Sequence, residues 1–426
     1  MYNLHLTPEQ LEFRDTVRDF VVQEIKPVVL HPDHLQKCDG RLPLELLDKA
    51  SQMGLRTLML SEELGGAGAD NLTACLVAEE LGAGDIGIAV TLGQTWTLAH
   101  FLFDQVMTPA QRTRYLPAFM ADERYHLAYA ALQPDPDLGW KYHRPFDEQI
   151  SSGVTAAGQD NGDWVLNGVT GFVANAPVAR LIAVQIKAGP ARPGVSGVET
   201  LLIARDTPGL EVREPHEAGR GSGPGGEPVT KWYHGTGGEL VFKDCRVAAE
   251  NLLAHQGASP FAAELAGRGN PQTAAMNVGI GRAAYEAAVD YAKLRVQGAR
   301  PIIQHQAIGT ILAKVAIKLE VARNMIRQAA WASDHPEAYA DRSLSDLPLQ
   351  TIATVFASEV IHEVTEEAAE CFGAMGVMLD MPLPKYVHEA RIFLHSGDSN
   401  SVATLRIAEA VAGYRRSAGA GVKAAA

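Results

Sequence analysis

The 426-residue chain is poor in cysteine and aromatics and has no concentrated run of positive charge. Its four cysteines, Cys38, Cys75, Cys245 and Cys371, stand far apart with no CxxC pair. That spacing argues against zinc and against a disulfide framework, and leaves them as buried thiols. None of the fourteen histidines sits in an HExxH pattern, so a metal centre has no support. Lys and Arg number 37 against 50 Asp and Glu, a formal charge of -13, and no basic stripe offers itself to a phosphate backbone. Nucleic acid is therefore not expected as a partner. No apolar run approaches the roughly 18 residues of a membrane span. Met1 to Pro8 lacks the basic and apolar regions of a signal peptide, so a cytoplasmic protein without a membrane is expected.

What is present is a globular composition, 46% hydrophobic and 20% charged. At roughly 100 to 200 residues per domain, this length implies two or three packed units. The start reads as a helix. Thr7 is placed to cap it, Pro8 suits its first turn, Gln10 completes a capping box, and Phe13, Val17, Phe20, Val21 and Ile25 share one face. Pro27 is expected to end it. Leu44 to Gly54, Asn71 to Gly82 and Ile86 to Phe103 read as further helices, interrupted by the turn Gly65-Gly66-Ala67-Gly68.

After Glu123 the pattern shortens. Segments at 127–132, 153–157, 164–166, 181–186, 201–204, 210–212 and 239–242, separated by turns such as Asp160-Asn161-Gly162, predict a small β-unit. The glycine-rich 219–226 stretch has neither a strand before it nor a helix after it, and reads as a surface loop. Helices resume at Phe261 and continue as 271–296, 305–333, 347–372 and 401–415. Gly279 and Gly281 lie inside a helical pattern, which favours packing through small residues over a dinucleotide turn. In the 305–333 helix Ile308, Leu312, Val315, Leu319 and Ile326 share one face while Ala316, Ile317 and Val321 form a second, as expected inside a bundle or at a subunit interface. Ser417 to Ala426 is low in complexity and expected to fray. The resulting units are 1–125 helical, 126–250 β and 251–426 helical.

Several segments in this order resemble the acyl-CoA dehydrogenase superfamily over about residues 5 to 415. Ser61-Glu62-Glu63-Leu64-Gly65-Gly66-Ala67-Gly68 resembles its PEEYGGAG turn, and Pro109 to Pro117 its EEQKxRYLP helix. Phe242 to Leu253 resembles FEDVRVPAENLL. Tyr291 to Arg295 and His305-Gln306-Ala307 resemble positions around the FAD diphosphate and adenosine. Glu370 and the turn Cys371 to Gly376 resemble the region against which a neighbouring subunit's FAD packs. The resemblance implies an α+β, mostly α fold: an N-terminal helical domain, a middle β-barrel or sandwich, and a C-terminal four-helix bundle. It also implies FAD, an acyl-CoA or related substrate, an electron acceptor such as an electron-transfer flavoprotein, and a homotetramer or homodimer. In the family's reaction a carboxylate takes the α-proton of the thioester and the β-hydrogen leaves as hydride to flavin N5.

The reacting residues depart from that pattern. Aligned without gaps on the YEGTS segment, the family's base falls on Gly397, and the alternative base position on the first long helix of the bundle is Gly269. The flavin-contacting TEPxxGSD loop is here Leu132-Gln133-Pro134 through Gly139, and the WIT strand is Phe172-Val173-Ala174. Leu132 and Ala174 therefore lack the hydroxyls, while Phe172 keeps an aromatic face for stacking. Ser399 and Ser401 follow the vacancy and are expected near the cofactor with Leu132, Gln133, Phe172, Ala174, Arg295, Gln306, Glu370 and Gly373. The DxxR segment that holds CoA is Gly267-Arg268-Gly269-Asn270, leaving Arg268 and Asn270 as substrate contacts.

Asp398 is the nearest replacement base and admits two readings. Gly397 allows the backbone to swing its carboxylate toward substrate, or Asp398 caps the helix beginning near Val402, as its residue type favours. His395 is a lesser candidate, and the 132–145 loop adds Asp135, Asp137, Tyr142 and His143. Three functions stay open: a dehydrogenase of a cyclic or polar acyl group with an atypical base, a baseless subunit of a hetero-oligomer, and a flavin oxidase acting on a substrate without CoA.

Overall fold

The computed structural model describes residues 5–37, 42–134, 150–151, 153–187, 198–213, 235–253, 271–335, 347–395, 400–412, 414–417 and 420–424. The N-terminal part is helical: α1 (Pro8–Phe20), α2 (Leu44–Gln52), α3 (Asn71–Gly84), α4 (Ile86–Ala99) and α5 (Pro109–Ala121). Thr7 and Gln10 close the expected capping box on α1, and Thr108 with Gln111 repeats it on α5. Pro27 does not end the first helix. A π-helical turn over Val21–Ile25 intervenes, and the chain stays helical through Lys26–Val29 with Pro27 in the first turn of that piece, where its missing N–H costs nothing.

Among the described residues that follow, the strands of two sheets are β1 (His126–Ala130), β2 (Val154–Gly158), β3 (Trp164–Val169), β4 (Val173–Ala174), β5 (Ala179–Lys187), β6 (Val198–Ala204), β7 (Leu210–Arg213) and β8 (Gly237–Val247), besides a two-residue ladder of Gln133–Pro134 on Ile150–Ser151. They form a three-stranded sheet, β1-β5-β6, and a five-stranded one, β2-β3-β8-β4 with β7 also on β8. The alternation along β5 assigns its faces. Ile182, Val184 and Ile186 enter a core shared with Trp164, Leu166, Leu240 and Phe242 of the second sheet. Leu181 and Ala183 turn the other way, onto Phe101, Phe103 and Phe119 of the helices. The three-stranded sheet is thus the layer that joins the helices to the β-core.

The C-terminal helices are α6 (Pro271–Leu294), α7 (Gln306–Asp334), α8 (Leu349–Phe372), α9 (Leu383–Phe393) and α10 (Asn400–Val411). Sequence periodicity did not separate α9. A short ladder, Val296–Gln297 against Arg300–Pro301, follows α6 where the helix was expected to run on to residue 296. Tyr414–Ser417 pairs with Ala420–Ala424, so the described part of the segment expected to fray lies in a ladder. One hydrophobic core runs from Val17 in α1 to Phe393 in α9, uniting the first and last helical parts. Cys75, Cys245 and Cys371 are buried thiols, as expected; Cys38 and the 219–226 loop lie outside the described residues.

The helix from Ile86 continues through a π-helical stretch to Val106, and by length and composition this 21-residue piece would cross a membrane. Counting only uninterrupted apolar runs missed it. It is a core helix, with 78% of the apolar window buried inside the protein.

Helices α3 and α6 meet backbone to backbone. A methyl group at Gly82 would overlap the main chain of Met276, and one at Gly279 would overlap the Glu79 carbonyl and the Gly82–Ala83 backbone. Gly281 faces Ile361 and Leu319 in the same bundle. Beside the crossing, Glu79 (8% exposed) and Glu80 (2%) point from α3 into a set of arginines. Glu80 takes Arg18 at 2.7 Å and Arg282 at 2.6 Å, while Glu79 takes Arg323 at 2.9 Å and Arg282 at 3.2 Å. Burial alone would raise the Glu79 carboxyl, but Arg323 and Arg282 pull it below the usual range, so it stays ionised.

Overpacking a site with no room costs typically 1 to 3 kcal/mol. Gly279→Ala should therefore lower stability by about 3 kcal/mol in urea unfolding, whereas Gly309→Ala in α7, where the nearest atom is Ile303 O at 3.8 Å and no positive φ is imposed, should cause no loss. Equal losses would remove the close crossing as the cause.

Candidate active site

The expected site residues collect at two ends of the bundle. Helices α6 and α8 run parallel, because Gly281 faces Ile361 and Tyr291 stacks on Phe372 with ring centroids 4.2 Å apart. At the far end lie Arg295, Glu370 and Gly373. Arg295 is one turn beyond Tyr291, and its carbonyl accepts from Ile302 N–H at 2.8 Å. Gly373 follows Phe372, and Glu370 is exposed beside it. Helix α7 starts here with Gln306 exposed, and its N-terminus has no side-chain cap. The ring of His305 turns instead to Gln297 O at 3.0 Å and to Arg300 at 3.2 Å. Open N–H groups beside arginines suit an anion such as a diphosphate.

At the near end, β4 pairs Ala174 with Gly237, and the Phe172 ring, 44% exposed, lies against the bare α-carbon of Gly237. Just before it, Gly235 abuts Val90 and Thr91 of α4. Leu132 is half-buried, and its N–H donates to Gln185 Oε1 at 3.1 Å. Gln133 pairs by backbone with Ser151 in a short ladder. The methyl end of Met276, near the start of α6, reaches Gly93 of α4. Arg295 is nineteen residues further along α6, about 28 Å away at the helical rise of about 1.5 Å per residue. The two groups of expected FAD residues are therefore not brought together within one chain.

The segment carrying the vacant base position has fixed ends. Asn400 N–H donates to Leu394 O at 3.2 Å, closing the loop. Its side-chain oxygen accepts from the Ser358 hydroxyl at 2.8 Å, which docks α10 on the first half of α8. Gly397, Asp398 and Ser399 themselves, and Arg268, Gly269 and Asn270, lie outside the described residues, as do Asp135, Asp137, Tyr142 and His143. Among the described residues helix α10 runs from Asn400, within two residues of the expected start near Val402. Ser401 is exposed in the first turn.

Helix α9, which leads into that loop, is anchored by Lys385. Its ammonium lies 2.7 Å from Glu389 Oε1 and 3.9 Å from Asp85 Oδ2. Asp85 also caps α4, its Oδ1 accepting from Ile88 N–H at 3.0 Å. Burial disfavours the Lys385 charge, but Glu389 and Asp85 more than offset it, and the pKa is raised.

Sequence reasoning missed a buried polar junction between α4 and the β-unit. Asn175, with φ of 63°, donates to Thr91 O at 2.9 Å and to Leu127 O at 3.2 Å. Thr95 Oγ1 lies 3.2 Å from His126 Nδ1. The signal was available in part: among residues other than glycine, asparagine is one of those enriched at positive φ. Also missed was the contact between two segments the sequence singled out. Gln111 donates to Glu250 O and Leu252 O at 2.8 and 3.0 Å, and Tyr115 donates to Asn251 at 2.9 Å.

Residues 7–123 match the family defined as the acyl-CoA dehydrogenase N-terminal domain, and residues 260–412 match its C-terminal domain. The chain belongs to the acyl-CoA dehydrogenase superfamily. A probable acyl-CoA dehydrogenase of Bacillus subtilis is 29% identical over 421 residues, covering 95% of this chain and 98% of the relative. The mitochondrial isobutyryl-CoA dehydrogenase of Dictyostelium discoideum is 26% identical, covering 94% and 89%. Among solved structures, butyryl-CoA dehydrogenase of Megasphaera elsdenii superposes with a TM-score of 0.78 at 26% identity, covering 96% of this chain and all of that one. The acyl-CoA dehydrogenase fold, helical and β parts in the expected order, is thereby established.

Burial, and secondarily Arg56, lowers His126 to about 4 from an ordinary value of 6.5. A depressed histidine stabilises the fold in full above pH 6.5, and this is lost as pH falls toward 4, because the unfolded chain takes up a proton the native site refuses. The loss should reach about 3 kcal/mol. His126→Gln should flatten the dependence of the urea midpoint on pH between 6.5 and 4; an unchanged dependence would show that other groups carry it.

Proposed function

We propose that this protein is an FAD-dependent oxidoreductase that dehydrogenates an acyl thioester at its α,β-carbons, with a base other than the family's usual glutamate. The observation that carries this reading is the assembly at the near end of the bundle. The exposed Phe172 face, the α4 segment beside Gly235 and the loop anchored by Asn400 and Lys385 all belong to the same end of α6 and α8. When bound, FAD supplies the redox capacity the chain lacks. The residues that would hold it are Leu132, Gln133, Phe172, Ala174, Ser399 and Ser401 from one subunit, with Arg295, Gln306, Glu370 and Gly373 from a neighbour. Their separation along α6 supports that division and with it a homo-oligomer. The exposed Ile317 and Val321 near the middle of α7 supply an apolar face for such a contact.

We assign Asp398 as the base. It is the carboxylate nearest in sequence to the vacant position, and Gly397 beside it gives the backbone freedom to aim it. Arg268 and Asn270 would contact the carrier, and electrons would pass to an acceptor such as an electron-transfer flavoprotein. A second reading is motivated by glycine at both usual base positions: a baseless subunit completed by a partner chain.

The purified chain should carry an oxidised flavin spectrum that bleaches on anaerobic titration with acyl-CoA esters. Asp398→Ala should slow that bleaching by roughly 10² to 10⁴-fold while leaving flavin content unchanged. Wild-type bleaching with an undiminished rate in the variant would remove Asp398 as base. Failure of the isolated wild-type chain to bleach, rescued by a second subunit type, would establish the partner reading.

A further inference from the structure

Among the described residues, each sheet of the β-unit ends in a strand that serves the flavin side. β1 is an edge of the three-stranded sheet and β4 an edge of the five-stranded one. β1 is followed two residues on by Leu132 and then Gln133, and β4 carries Ala174 just after Phe172 and Val173. Each segment is fixed to its own sheet: Leu132 N–H donates to Gln185 of β5 at 3.1 Å, and β4 pairs with Gly237 and Gly238 of β8. Between the sheets lies an apolar core. Apolar contact is non-directional, so it holds the sheets together without fixing how far one edge slides past the other.

Asn175 supplies the missing direction. It follows Ala174, is fully buried (0% exposed) and holds a φ of 63°. Its N–H donates to Thr236 O at 2.8 Å, and its carbonyl accepts from Val178 and Ala179 N–H at 3.0 and 2.8 Å. Its side-chain Nδ2 donates to Leu127 O on β1 at 3.2 Å and to Thr91 O on α4 at 2.9 Å. One amide nitrogen thus joins the two edge strands and fastens both to the same helix. Positive φ in a residue other than glycine persists only where its surroundings over-determine it, and these bonds do so here.

Resting on the assignment of both segments to FAD, we propose that Asn175 is a positioning residue for the flavin. Its buried amide sets the offset between the strand carrying Phe172 and Ala174 and the segment carrying Leu132 and Gln133, so that both meet one isoalloxazine ring. Leu132 and Ala174 offer the ring no side-chain hydroxyl, which leaves their backbone groups to make the contact. Backbone placement is what the amide controls.

The test compares Asn175→Gly, which keeps the positive φ and removes the amide, with Thr95→Val, which removes a neighbouring buried hydroxyl and leaves the Asn175 bonds to Thr91 O and Leu127 O in place. FAD is titrated into each apoprotein, and the absorption spectrum and midpoint potential of the bound flavin are recorded beside urea unfolding. Asn175→Gly should bind FAD roughly tenfold more weakly and shift both the spectrum and the potential. Thr95→Val should lose stability yet keep wild-type affinity, spectrum and potential. Asn175→Asp, similar in size and tolerant of positive φ but turning an oxygen toward the two carbonyls, should follow Asn175→Gly. Unchanged flavin affinity, spectrum and potential in either folded Asn175 variant overturn the assignment while the FAD reading stands. Equal flavin changes in Thr95→Val also overturn it, as does failure of both Asn175 variants to fold, and a wild type that takes up no FAD overturns both readings.

Discussion

The crossing of α3 over α6 is the constraint on which the remaining geometry depends. Two glycines allow the backbones to touch, and the short distance in turn makes possible the ion pairs around Glu79 and Glu80, which reach α1, α6 and α7 together. Buried carboxylates of this kind are expensive unless every oxygen is met, and removing one arginine would strand a charge. The arrangement therefore fixes the helices in rotation as well as in distance. Because Met276 lies one turn before Gly279, the same contact sets how α6 presents its start to α4 and to the sheet edge at Gly237.

Much of this was legible in the sequence. Helix starts written in side-chain chemistry, Thr7 with Gln10 above all, were read correctly because capping is local. The order of helical and β segments followed from periodicity, and the packing role of Gly279 and Gly281 from their place inside a helical pattern. What failed was non-local. Pro27 looked like a terminator because the π-helical turn that accommodates it has no sequence mark. Helix α9 was not assigned from periodicity, although Pro382 and Pro384 at its start are well suited to a first turn.

The site was legible in outline only. The resemblance assigned cofactor contacts residue by residue, but no linear reading reveals that Arg295 and Phe172 belong to opposite ends of one helix.

Lys385 gives the vacant base position a mechanical character. A helix that buries an ammonium between Glu389 and Asp85 cannot turn about its axis without leaving that charge unmatched, so α9 behaves as a keyed shaft rather than a free spindle. Since Asp85 is at once the key slot and the cap of α4, helix α9 and the start of α4 are indexed to a single carboxylate. New chemistry could thus arise here by exchanging side chains on a fixed mount, with no need to rebuild the mount itself.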